Sequence, residues 1–461
     1  MKKRIMITSI FLLAVAPIFS QNKLVPVVDE RFELMSIVAH FSSVTGYEEI
    51  DIPAYSKAVD DYFKPFTNDP LIQFTKEIPI AFDAVASMAV HLQLVDGKFK
   101  FKDNLQKTSL DQRWKDKSDK FILLLNDFYT NTDFHKFFTQ NKNLYSLAEE
   151  RFTAIVNEID VPWFERFFGE RINGTYQIII GMATNGNNYG PSVNYLSGNK
   201  EVYSVVGAWQ MDSLGLPVFA KERYAQLVIH EFSHSFCNHL VDQHFSEMKK
   251  AAKGFYKQVD TQMELQHYGS AEMMMYETMV RASTIQYLKE HHLDENKLNS
   301  MVAYEQSNGF MLIKQMLNAF EKYQDSRSKY ATLNAYMSEI IGLLKALDPK
   351  DTYEKSICNG TADIVSSSIQ NGGTGVDPAT KELTFVFDRP MSGSMGFHQG
   401  DFCYPKTKSV KWNANKTQLT FTLELQPDTK YSMVIHGDET LDENYCTMKK
   451  KRIPFTFQTG K

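Results

Sequence analysis

A histidine, a glutamate and a second histidine stand close together at His230, Glu231 and His234, in the pattern His-Glu-x-x-His. Four residues apart on a helix, two imidazoles project from one face, one turn apart. A single zinc ion can take both nitrogens as ligands there. Glu231, about 100° further round the helix, lies beside such an ion and can act on water. Tyr224, Leu227, Val228, Ile229, Phe232 and Phe236 surround the motif, so residues 223–236 read as a mostly buried amphipathic helix. Polar side chains in such a helix are costly unless they are paired or bind something.

Two histidines do not hold zinc alone; a third protein ligand is needed, with one position left for water. His239 does not sit at the spacing of the extended three-histidine motif, and Cys237 stands where that motif needs glycine. His244 and His267 read as polar surface residues, and Cys237 as an ordinary buried cysteine. The better source is the strong helical pattern from Ser270 to Ser283. Glu277 lies among Met273, Met274, Tyr276, Met279 and Val280, a setting that does not tolerate an unpaired carboxylate. Arg281, one turn on, can hydrogen-bond and orient it. Glu272 is the other contender, nearer the polar start of the helix, where a carboxylate can simply favour the dipole. The consecutive Met273, Met274 and Met275 read as core filler.

The elements that must position these residues follow from periodicity. A mainly helical region runs from Val28 to about Gly169, through segments at 29–38, 55–66, 80–94, 120–128 and 145–159. The lysine- and aspartate-rich piece 111–120 reads as a solvated face or loop. The period then changes. Tyr176 to Met182 and Glu201 to Trp209 read as two strands of one small sheet, separated by the turn-rich stretch 185–191. Beyond the histidine helix, 243–269 is polar and helical in character with no obvious core. Further helices cover 311–323 and 333–347, stopping at Asp348-Pro349. From Ala362 onward, alternating strands at 383–387, 419–423, 431–435 and 455–457 recur at sandwich-like intervals, with Tyr431 placed for a tyrosine corner. The fold class expected is therefore α+β: residues 21–358 form a mainly helical domain with a small sheet, and 359–461 an all-β sandwich.

Length and composition agree. At 461 residues, 43% hydrophobic and 13% aromatic, the chain exceeds one core and has ample material for two. Lys2, Lys3 and Arg4 precede the apolar run 5–16 and Pro17-Ile18-Phe19-Ser20, the layout of a signal peptide cut after Ser20. Its removal takes three positive charges from a net charge of −5, leaving −8. An exported, mildly acidic protein has no electrostatic case for nucleic acid. No later apolar run reaches spanning length, so no transmembrane segment is expected in the mature chain. Of four cysteines, Cys403 and Cys446 are the plausible disulfide pair, since both fall in the last hundred residues.

His230-Glu231-Phe232-Ser233-His234, followed by a glutamate on a later helix, resembles the gluzincin type of zinc metallopeptidase, in the thermolysin-like clan. Asn188-Tyr189-Gly190 and the run from Tyr276 to Ala282 look like a family of exported bacterial proteins in that clan. The resemblance covers roughly 25–350. Separately, Val376-Asp377-Pro378 and the run from Phe387 to Met391 resemble bacterial Ig-like modules attached to secreted enzymes. The first resemblance implies a zincin-like domain hydrolysing peptide bonds, with zinc on His230, His234 and Glu277 and with Glu231 as general base. It also implies an extended substrate paired on a sheet edge beside the helix. A further donor should stabilise the oxyanion; Tyr189 is the choice, with Tyr268 and Tyr304 open. The second implies a module that contacts protein or glycan. The rival reading is an exported binding or adhesion protein that keeps the metallopeptidase-like domain without catalysis.

Overall fold

The computed structural model describes residues 24–106, 110–356, 362–443 and 445–461. The expected leader, 1–20, and the expected boundary at 358 lie outside them. The chain is α+β. One hydrophobic core gathers buried side chains from Val28 to Leu344, and a second gathers Ala362 to Phe457. No helix among the described residues is long and apolar enough to cross a membrane.

The first core is built round the helix Glu30–Phe41, which buries Phe32, Leu34, Met35, Ile37 and Val38 and so is apolar on most of its circumference. Asp29 caps it, its carboxylate accepting from the backbone of Arg31 and Phe32. Beside this helix lies a four-stranded sheet, in the spatial order Pro26–Val27, Gly174–Gly181, Lys200–Gly207, Ser192–Asn194. The long central pair is parallel, Gly174 opposite Lys200 through Gly181 opposite Gly207. Its β-branched centre, Ile178 to Ile180 against Val205 and Val206, is fully buried, as parallel strands covered on both faces require.

Three local expectations need correction. The helix expected over 80–94 is only Asp83–His91; Leu92–Val95 and Lys98–Phe101 form an antiparallel hairpin instead. Asp96 and Gly97 both take positive φ, 50° and 74°, the geometry of a two-residue hairpin turn. The charged piece 111–120 is not simply solvated, because Trp114 is fully buried and its indole N–H donates to the Ala84 carbonyl at 2.7 Å. The histidine helix continues to Leu265, interrupted only at Val259, where φ is −134°. Its second half buries Met248, Ala252, Phe255, Val259 and Met263, a stripe of threes and fours that supplies the core face missed in 243–269.

Past residue 361 the chain forms two four-stranded sheets. One is ordered Lys406–Trp412, Gln418–Glu424, Glu382–Phe387, Ile364–Ser367; the other Phe397–Gln399, Lys430–His436, Arg452–Thr459, Gly373–Val376. Their inner residues share one core: Phe385 of the first sheet meets Phe455 of the second edge to face, centroids 4.9 Å apart. The Tyr431 hydroxyl accepts from the Gln426 backbone at 2.8 Å, five residues upstream. The Cys403–Cys446 pairing is not made: Cys403 is a free, exposed thiol, whereas Cys446 is disulfide-bonded. Cys403 sits beside Tyr431 at the start of the strand Lys430–His436, while Cys446 lies past that strand's far end, hydrogen-bonded to Asp442. From Tyr431 to its far end at His436 the strand spans about 17 Å, well over the roughly 7 Å that a disulfide tolerates between Cα atoms.

One buried acid ties the first core together. Glu33 accepts from the Tyr55 hydroxyl at 2.7 Å and from the Met182 backbone at 2.8 Å. Burial raises its carboxyl from 4.5 to about 7, against both hydrogen bonds. The folded chain therefore holds a proton that the unfolded chain releases, and stability falls as pH rises through that window. Glu33→Gln should flatten this slope, which amounts to roughly 3 kcal/mol across the window. Denaturant midpoints measured on either side of the window check it, and an unchanged slope in the variant would overturn it.

Candidate metal centre

His230 and His234 sit on the first third of the helix Lys221–Leu265, between core residues that anchor it. Phe232 meets Tyr176 of the sheet edge to face at 5.2 Å, and Phe236 stacks on Phe168 at 4.5 Å. The two imidazoles are one turn apart on the opposite side, ring centroids 5.0 Å apart. His234 is oriented from behind, its Nδ1 3.1 Å from Asn238 Oδ1. Asn238 has no motif to mark it; its i,i+4 spacing from His234 is the signal that points to it.

The helix Ala271–Glu290 begins at Ser270, whose hydroxyl accepts from Met273 N at 3.1 Å. It packs antiparallel to the histidine helix: Tyr276 reaches Asp242, while Ser283, further on, faces Cys237, further back. That contact delivers Glu277. Its Oε1 is 3.5 Å from His234 Nε2 and its Oε2 3.7 Å from His230 Nε2. One donor atom from each residue lies within 4.8 Å of the others. Glu272 lies outside this cluster, half-buried near the helix start. Met274 and Met275 are core, whereas Met273 is exposed and lines the cleft.

Behind Glu277 stands Arg281, Nε 3.2 Å from Glu277 Oε2, Nη1 2.8 Å from Glu305 Oε2 and Nη2 3.2 Å from the Tyr268 hydroxyl. Glu305 comes from the helix Glu295–Ser307 and has no sequence signal, because only packing brings it near. Burial pushes the His230 imidazole down to about 3, the neutral form that can ligate a metal. Burial works against the Glu277 charge, but His234, Arg281 and His230 outweigh it and hold the carboxyl below its ordinary value. Glu231 is raised well above its ordinary value by burial and then by the Glu277 charge.

These residues fit a divalent cation. Three buried carboxylates, Glu231, Glu277 and Glu305, share the site with one guanidinium, Arg281. Burial raises Glu231 and Glu305, so a cation at the two imidazoles and Glu277 would relieve the cost of charging them. Two nitrogens and a carboxylate oxygen, with solvent access on one side, are a zinc donor set with an open position.

The site opens on a cleft of about 1290 Å³, lined among others by Tyr189, Ser192, Lys200, Tyr268 and Tyr304. Its roof is the stretch 188–191 leading into the edge strand Ser192–Asn194. Gly190 presses on the histidine helix so closely that a Cβ there would lie 2.2 Å from the Glu231 carbonyl oxygen and 3.0 Å from His234 Cβ. Tyr189 and Val205 exchange two backbone hydrogen bonds, and Pro191 accepts from Tyr203. By antiparallel alternation the main-chain groups of Gly190 and Ser192 then point outward. Tyr189 stacks on Tyr47 at 5.9 Å, and its hydroxyl is sealed from solvent. Of the open tyrosines, Tyr268 is the one joined to the cluster, through Arg281.

Residues 24–343 match the model of a domain of unknown function (DUF4932), and the chain belongs to that family. The match contains His230, His234 and Glu277 and stops short of the C-terminal sheets. No curated protein matches. Among solved structures, the surface layer protein SbsC, domains 1–6, is 15% identical with a TM-score of 0.17, over 51% of this chain and 34% of that one. The N-terminal part of the bacterial S-layer protein SbsC gives 16% and 0.16, over 51% and 58%. The chain thus spans about a third of the first and under two thirds of the second.

Gly190→Ala should force the roof from the helix and destabilise the protein by about 1–3 kcal/mol. Denaturant unfolding measures it, and wild-type stability in the variant would refute the contact.

Proposed function

We propose that this protein is an exported zinc metallopeptidase of the gluzincin type, hydrolysing peptide bonds. The observation that carries this reading is the convergence of His230, His234 and Glu277 on one point, in a cleft that Glu231 also lines and where it feels the Glu277 charge. Zinc held by these three residues would supply Lewis acidity, lowering the pKa of water and polarising a scissile carbonyl. The protein's own groups do the rest. Glu231 takes a proton from the attacking water and hands it to the leaving amine. The outward N–H and C=O groups of Gly190 and Ser192 pair with an extended substrate, which fixes the scissile bond over the histidines. Tyr268, on the cleft wall and oriented by Arg281, is the better candidate for a donor to the developing oxyanion than Tyr189, whose hydroxyl is closed off.

Export rests on the charged and apolar amino end and fits the disulfide at Cys446, since such bonds persist in oxidising compartments. The facing sheets and the Tyr431 hydrogen bond support an Ig-like module after the helical region, with protein or glycan as its contact.

Digestion of a peptide library by the purified protein, with and without chelator, tests the activity. Cleavage should stop with chelator and return with zinc. Glu231→Gln should keep zinc at the histidines while turnover falls about 10²–10⁴-fold. Normal turnover by that variant would sink the mechanism, and a folded wild type that cleaves no member of the library would favour a non-catalytic binding protein.

A further inference from the structure

A second cluster of ligand-type side chains lies on the C-terminal sheets, apart from the first core. The strand Phe397–Gln399 is the edge of its sheet and pairs antiparallel with Lys430–His436, His398 opposite Val434. Residues two apart on a strand share a face, so His436 is the diagonal neighbour of His398. Tyr431, Met433 and Ile435 fill the inner face, which leaves both histidines on the outer one. The chain then turns: Glu439 N and Thr440 N donate to the His436 carbonyl at 3.2 and 3.0 Å. The turn returns the Glu439 carboxylate over the two rings.

The three side chains meet closely. Glu439 Oε2 is 2.7 Å from His398 Nε2, and Oε1 is 3.5 Å from His436 Nδ1. The ring centroids are 4.2 Å apart, and one donor atom from each residue falls within 4.8 Å of the others. The backbone beneath is clamped. Gly396 accepts from His436 N at 2.6 Å and donates to the buried Thr440 hydroxyl at 3.0 Å. A Cβ at Gly396 would come within 2.5 Å of Glu439 Cβ and 2.9 Å of His436 Cβ, so close approach of the three segments is built into the chain. Such clamping holds the donors near one another before any ion arrives, which lowers the entropy cost of binding.

We propose that His398, His436 and Glu439 form a second metal site, for zinc or a similar late first-row divalent ion. Two imidazoles and one carboxylate suit these ions, whereas calcium and magnesium prefer all-oxygen shells. His398 and Glu439 are about half exposed, which leaves a coordination position open to solvent or to a donor from another molecule. The site does not depend on the peptidase reading, since it shares no residue with the first cluster.

The competing explanation is a His398–Glu439 hydrogen bond with no ion, and zinc titration of the full chain separates the two. With His230→Ala and His234→Ala removing the first pair, calorimetry should still find one zinc ion per chain. Adding His398→Ala should weaken that binding at least about tenfold, as should adding Glu439→Gln. If the double variant does not fold, the same readout comes from wild type, which should lose one zinc ion per chain on His398→Ala alone. Cobalt should give ligand-field absorption that His398→Ala abolishes in the same background. The proposal is overturned if the double variant folds and binds no zinc at tens of micromolar, or if zinc binding is indifferent to His398 and Glu439.

Discussion

The antiparallel contact between the helices Lys221–Leu265 and Ala271–Glu290 is the constraint on which the first site depends. Either helix alone offers an incomplete set, two imidazoles or one carboxylate. Pairing Tyr276 with Asp242 and Ser283 with Cys237 sets their relative register, and that register puts Glu277 between His230 and His234. A shift of one turn would move the carboxylate about 5.4 Å, past one ring and out of the point between the two. Arg281 holds the Glu277 carboxylate from behind and ties its helix to Glu305 on a third helix.

Charge and space then shape what the site can accept. Glu277 keeps its charge while burial raises Glu231 and Glu305, so the centre favours a cation beside the two imidazoles. Gly190 brings the roof against the helix backbone, so the outward groups of the edge strand run beside the histidines. An open strand edge and the His-His-Glu cluster are thus placed along one cleft by a glycine contact and a helix contact. The second cluster repeats the device on another scaffold. There Gly396 takes the place of Gly190, admitting Glu439 and His436 to a distance that any larger residue would prevent.

Much of this was readable from local spacing. His230 and His234 share a face because four residues make about one turn, and Glu277 stood out as a carboxylate in an apolar helix. The central strands, the helices at 311–323 and 333–347 and the C-terminal alternation were visible for the same reason, since burial on one face imposes a period. The misreadings came where local rules compete. Apolar periodicity carried the helix at 80–94 past its end, although Asp96-Gly97 marks a hairpin turn. Dense charge over 111–120 hid Trp114, and polar composition over 243–269 hid a buried stripe at helical spacing. The cysteine pairing failed because nearness in sequence says little about nearness across a sheet.

Local chemistry therefore dictated which residue types face one another along a single helix or strand: the histidine pair, the neighbouring Glu231, the carboxylate of the next helix. Long-range packing chose everything that must cross between segments. It brought Glu305 and Tyr268 to Arg281, sealed the Tyr189 hydroxyl from solvent, and left Ser192 on a sheet edge. It also gathered His398, His436 and Glu439, which no motif connects. Backbone periodicity repeats within a few residues and can be read from them; which surfaces meet is set by the whole core, and no short stretch contains that information.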